Sequence, residues 1–232
     1  LSGERTPSIA KTLQQEALQM LGNGVMAIVL IKLGHFFQDK VALRKVSLHD
    51  EIVKGNATAA LIDFGHVVSV AIVIRSALFW VATEGWHGIP IVIAAFAIGS
   101  IAMLLISQYR VQLFKRTNRS GDCLQQAVID GNLAVGIRYA GFLVGSALAL
   151  TAASGIAPYA ADNIVASLGY WALSAAVSLV AFILLHLVTI KIILSGCDIS
   201  DEVNRQKNVG VAAISAAISF AIGSTMATLL GA

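Results

Sequence analysis

The sequence predicts an all-α polytopic membrane protein: six transmembrane helices, grouped as three parallel two-helix repeats of equal length, in a pseudo-threefold bundle. Three observations lead there. The 232-residue chain is 57% apolar and only 12% charged, with a mean hydropathy of +0.79, where a soluble domain carries about 25% charged residues. Runs near the ~20 residues that a helix needs to cross a bilayer core recur along its length. Asparagine also returns at a fixed interval. Asn56, Asn132 and Asn208 are evenly spaced, 132 − 56 and 208 − 132 both being 76, and each stands at the edge of an apolar run.

The spans follow in order. The first covers residues 18–38 and carries Lys32 inside it. The second, 57–83, begins just after Asn56. The third, 88–109, is the uncharged run "GIPIVIAAFAIGSIAMLLISQY". The fourth, 133–154, begins after Asn132. The fifth, 163–190, is "NIVASLGYWALSAAVSLVAFILLHLVTI", and the sixth, 209–231, begins after Asn208. Residues 1–17, with the polar "LSGERTPSIAKTL", read as an extracytoplasmic segment too polar for a retained signal peptide, though one could have been removed ahead of it. Residues 18–232 read as a single membrane domain, with repeats at about 18–84, 85–154 and 163–232.

Orientation comes from the basic residues in short connections. Lys40, Arg44, Lys45 and Lys54 follow the first span. Arg110, Lys115, Arg116 and Arg119 follow the third, and Lys191, Arg205 and Lys207 follow the fifth. The opposite connections, "EGWH" and "SGIAPYAAD", contain no Lys or Arg. The basic side is therefore expected to be cytoplasmic, with both termini outside the cell. Trp80, Trp86, Tyr159, Tyr170 and Trp171 then gather near the outer interface, where aromatic belts form.

Sliding the chain by that same interval places Gly65 on Gly141 and Ala217, and Ser69 on Gly145 and Ala221. Each helix that follows an asparagine thus carries two small residues four apart, which lets backbones approach closely in lipid. A fixed period signals one structural unit repeated. Each unit holds two spans, so successive units insert in the same direction, unlike inverted transporter repeats. The three small-faced helices are expected at the centre, with the other three outside. Asparagine is a favoured helix N-cap, so Asn56, Asn132 and Asn208 are expected to start three parallel helices at one depth. A polar ring lining a vestibule is the alternative reading of the three asparagines.

An amphipathic charged or amide-rich stretch, then "GN", then an alanine-rich span with paired small residues, all in tandem, resembles the YjfL-like membrane proteins. These carry the repeated "domain of unknown function 350". The resemblance is carried by residues 45–85 and 120–155; in the third copy Lys207 replaces the glycine before Asn208. It implies a multi-pass protein of the bacterial inner membrane and transfers no catalytic residue.

Ionisable residues inside spans are costly and stand as functional candidates. Asp63 lies in the second span and Arg138 in the fourth. The repeat sets Arg138 on position 62, one step of about 1.5 Å from Asp63 in depth. An Asp63–Arg138 ion pair follows if the helices are neighbours. It reads either as a register-fixing pair or as part of a gate or solute path; pairing is how buried charges are tolerated at all. His66, three residues after Asp63, shares its face and is either a proton-linked partner or a structural histidine. Arg75 is expected to snorkel to the outer interface, with pairing to Glu84 as the alternative. Lys32, His35 and His186 lie near cytoplasmic helix ends, where snorkelling also suffices.

The segments "SLHDEIVKG", "DCLQQAVIDG" and "DISDEVNRQK" mix apolar and charged residues, as short interfacial helices do. They, or the helix faces, are the surfaces where a protein partner or a second copy would dock. Lys plus Arg number 16 against 13 Asp plus Glu, too slight an excess for a nucleic-acid footprint. The two cysteines, Cys123 and Cys197, fit neither a disulfide framework nor a zinc pattern. No nucleotide loop, metalloprotease motif or nucleophile elbow appears, so neither a cofactor nor catalysis is expected. The leading expectation is a structural or accessory subunit, or an anchor, of a membrane complex. The competing one is a small channel or transporter for an ion or cationic metabolite, using Asp63, His66 and Arg138.

Overall fold

The structure, a computed structural model, describes residues 9–41, 46–118 and 123–230. Their regular elements are helical. Long helices α1 (Ile9–Val41), α3 (Ala57–Trp80), α4 (Ile89–Thr117), α6 (Leu133–Ile156), α7 (Ile164–Ile193) and α9 (Val209–Leu230) alternate with short helices α2 (Leu48–Val53), α5 (Leu124–Ile129) and α8 (Ile199–Asn204). Six helices are long and apolar enough to cross a membrane, so the chain is a multi-pass helical membrane protein. The α1 helix begins at Ile9, and half of the expected N-terminal segment therefore belongs to it; residues 1–8 lie outside the described residues. Helix α4 runs to Thr117, beyond the expected end at 109.

Each repeat is started by the same local device. A short helix ends, one residue takes a left-handed turn, and an asparagine caps the long helix. The turn residues are Gly55 (φ 85°), Gly131 (φ 65°) and Lys207 (φ 54°). Glycine adopts that region without steric cost, so Lys207 holds the same geometry against its own Cβ. The Asn56 side-chain oxygen accepts from the Thr58 and Ala59 amides at 3.0 and 3.2 Å. Asn132 accepts from the Val135 amide at 3.3 Å, and Asn208 from the Val211 amide at 3.2 Å. These bonds satisfy donors that have no intrahelical partner and that lipid could not satisfy.

The core is built on α6, which packs against both α3 and α9. Two-thirds of its membrane-spanning stretch is buried (67%), against 50% for α3, 39% for α9 and 11% for α1. Of the three small-faced helices α6 is the enclosed one, while α9 is buried little more than α4 at 33%. The closure of a pseudo-threefold bundle is not seen: among the described residues α3 and α9 flank α6 and share no comparable interface. The three form a row.

Glycine positions explain the row. A Cβ placed on Gly65 would lie 2.7 Å from the Ala140 Cα, and one on Gly141 would overlap Ala216. The two seams are repeat equivalents, each joining a glycine to the alanine just before its own counterpart in the next repeat. Closing a ring would set Ala217 against the repeat-equivalent of those alanines, which is Phe64. Phe64 is too large for backbone contact, and both residues are exposed, Phe64 at 59%. The second small position behaves the same way: Gly145 meets the Ser219 backbone and Gly223, while Ala221 is exposed.

Candidate functional site at the basic end of the bundle

The short helices gather at the end of the bundle where the basic connections lie, and side chains link one repeat to the next there. The Asn56 amide donates to the Val128 carbonyl at 2.7 Å. Asn132 donates to the Val203 and Asn204 carbonyls, both at 3.1 Å. Each asparagine therefore caps its own long helix and ties it to the short helix of the following repeat. Asn208, in the last repeat, turns its amide back to the Glu202 carboxylate at 2.8 Å. These contacts account for the recurring asparagines as architecture, with Asn132 itself buried.

Behind this layer lies a polar cavity between α4, α6 and α8. The space open to the centre of a water molecule is about 50 Å³, enough for several waters or one small oxyanion. Arg110 from α4, Arg138 and Tyr139 from α6, and Ser200 and Asn204 from α8 supply its polar wall. The Arg110 guanidinium carbon sits 4.5 Å above the centre of the Phe142 ring, a cation–π contact that leaves its edge donors available. The Nε atoms of Arg110 and Arg138 are both buried without a hydrogen-bond partner.

Arg138 is therefore grouped with a second arginine where the sequence suggested an acid, and Asp63 does not line this cavity. His66 is buried, with its ring edge-on to Tyr139 at 5.8 Å. Asp63, one helical turn before it, is half-buried. Of the three expected residues Arg138 lines this cavity, and His66 packs on Tyr139, which lines it too.

Other expectations change with packing. His186 does not snorkel: it is buried between Phe142 and Phe182, and its Nδ1 is 3.2 Å from the Ser219 hydroxyl. Lys32 and Arg75 are exposed. The His35 and Lys40 side chains lie outside the described residues, as do Arg44, Lys45 and Arg119. At the opposite end, Trp86 and Tyr170 are exposed as a belt requires, but Trp80 and Trp171 are core residues. The Trp80 indole N–H donates to the Ala157 carbonyl at 2.6 Å, and that of Trp171 to the Ser154 hydroxyl at 3.1 Å. Buried indoles need such acceptors. Cys123 and Cys197 are both free thiols.

Arg110 was the residue missed by reading the sequence, because it falls just past the apolar run and counts as a connection residue. A signal was present: Val111, Leu113 and Phe114 continue the apolar periodicity beyond it.

No curated protein and no solved structure shows a significant similarity to the chain. One family model matches it twice, over residues 11–119 and 83–230. The matches overlap and together run through all six long helices, so a tandem membrane unit is recognised in the chain as a whole. With that coverage, the chain belongs to the family described as Domain of Unknown Function (DUF350).

Proposed function

We propose that the protein is a non-catalytic structural or accessory subunit of a membrane complex. The observation that carries this reading is the backbone-to-backbone packing of α3 on α6 and of α6 on α9 at Gly65, Gly141 and Gly145. Helices seated this closely form a solid scaffold, and Asp63 and His66 do not line the cavity that holds Arg138. The chain is three two-helix units in a row, with the short helices α2, α5 and α8 on the cytoplasmic side of a bacterial inner membrane and the termini outside. Partners dock on those helices or on the outer helix faces. Half-exposed or exposed Ile52, Val53 and Ile129 offer apolar surface there.

Two measurements test the reading. Affinity purification in mild detergent should recover a second protein in stoichiometric amount. Proteoliposomes should show no ion or polyamine flux above empty vesicles. Flux that disappears in Asp63→Asn or His66→Ala would replace the scaffold with a conduit.

A further inference from the structure

We propose that the cavity between Arg110 and Arg138 binds a phosphate group, carried either by a soluble phosphate or by the headgroup of an anionic lipid. This goes beyond the scaffold role and does not depend on it. Two arginines, one from α4 and one from α6, line one small cavity, and no Asp or Glu lines it among the described residues. The acids of the neighbouring helix α8 are engaged elsewhere. Asp201 holds Arg205 at 2.6 and 2.8 Å, and Glu202 accepts from Asn208 at 2.8 Å. Charges removed from water are tolerated when paired, and here the protein supplies two cations without a lining anion.

The donors also have a geometry. Each arginine leaves its Nε–H unused, and Nε–H with a neighbouring Nη–H forms a fork that fits two oxygens of one anion. Two forks from different helices suit a tetrahedral phosphate better than a planar carboxylate, which offers only two oxygens. The Tyr139 hydroxyl adds a donor on the same wall. Asn204 adds a carbonyl oxygen, an acceptor for the proton of a monoprotonated phosphate. Arg110 lies seven residues short of the α4 terminus, about 10 Å along the helix, and the cavity reaches Thr117 at that terminus. That is the level at which a helix leaves hydrocarbon for headgroups and solution, so both sources of phosphate can reach it.

The test uses the full-length protein purified in neutral detergent and, in parallel, in nanodiscs. In detergent, inorganic phosphate is titrated at constant ionic strength against chloride while thermal stability is followed. In nanodiscs mixing phosphatidylglycerol with phosphatidylcholine, native mass spectrometry reads which lipid stays bound. A saturable phosphate response identifies a soluble ligand, and retained phosphatidylglycerol identifies a lipid; either supports the site. Arg110→Gln and Arg138→Gln should each weaken that response about tenfold or more, the loss expected for a charge-assisted hydrogen bond. Arg205→Gln, on the exposed face, should leave it unchanged. If the Gln variants do not fold, Arg138→Lys, which keeps the charge and loses the fork, and Tyr139→Phe take their place, with several-fold weakening expected. Wild-type protein responding to neither probe, or binding that survives in the folded Arg110 and Arg138 variants, overturns the proposal.

Discussion

The Asn132 side chain donates to the backbone carbonyl of Val203, 71 residues away, across 3.1 Å. With its twin, Asn56 to Val128, it makes the polar end of the bundle a chain of links running from each repeat to the next. One side chain thereby serves two helices: its oxygen caps α6 and its nitrogen holds the end of α8.

That division of labour can be separated by substitution. Asn132→Asp keeps the capping oxygen and loses the donor, whereas Asn132→Ala loses both. Thermal unfolding in detergent should show Ala costing about 2 kcal/mol, from a lost cap together with buried carbonyls left unpaired. Asn208→Ala should cost about 1 kcal/mol, since its oxygen caps α9 but its amide meets only a carboxylate of its own repeat. Equal losses at the two positions would contradict the linking role of Asn132.

Close helix approach gives a second contrast. Gly141→Leu must push α6 away from Ala216 and should destabilise by at least about 2 kcal/mol, or prevent recovery of folded protein. Ala217→Leu, at the next position of the repeat, faces outward and should change stability by no more than about 0.5 kcal/mol. Size-exclusion elution and melting temperature read both.

The left-handed turns make a third. Lys207 holds φ 54° where the other repeats use glycine. Lys207→Gly should therefore stabilise by about 0.5 kcal/mol, relief of strain outweighing the added freedom of the unfolded chain. Gly131→Ala should destabilise by about 1 kcal/mol. A Lys207→Gly protein that melts below wild type would show that its side chain has a role the turn alone does not explain.

At α2, the Glu51 carboxylate accepts from Lys54 at 2.7 Å and from Asn56 at 3.1 Å. These bonds, Lys54 first, hold the carboxyl below its ordinary value of 4.5, and the Lys54 ammonium is raised above 10.5 by the same partner. A carboxylate lowered on folding contributes stability above its unfolded pKa and loses it as pH falls through the folded one. The contact should therefore persist at neutral pH and loosen only below 4.5. Carboxyl-carbon NMR of Glu51 against pH checks this; Lys54→Met should move its titration upward, towards 4.5.

How much of this was legible in advance differs from residue to residue. Apolar runs mark the long helices, and a polar residue at a span's edge marks the caps at Asn56, Asn132 and Asn208. Both are local properties, because backbone hydrogen bonding in lipid must close within a helix. The small pairs at Gly65 and Gly141 identified which helices meet closely. Their period did not say whether three such helices close into a ring, since closure depends on Phe64 and Ala217 facing one another across the whole chain. Arg138 and Asp63 match in the sequence by depth alone. Depth follows from position along a helix, but the partner depends on which face of a helix meets which neighbour.

By itself, then, the sequence determined a six-helix membrane protein, the positions of its repeat starts and the side on which its basic residues collect. Only the tertiary structure decided that α6 lies between α3 and α9, that Trp80, Trp171 and His186 are interior, and that Arg110 and Arg138 share one cavity. The reason is physical: span length and capping are set within about 20 consecutive residues, while burial and electrostatic partnership are set by packing among helices that are distant in the chain.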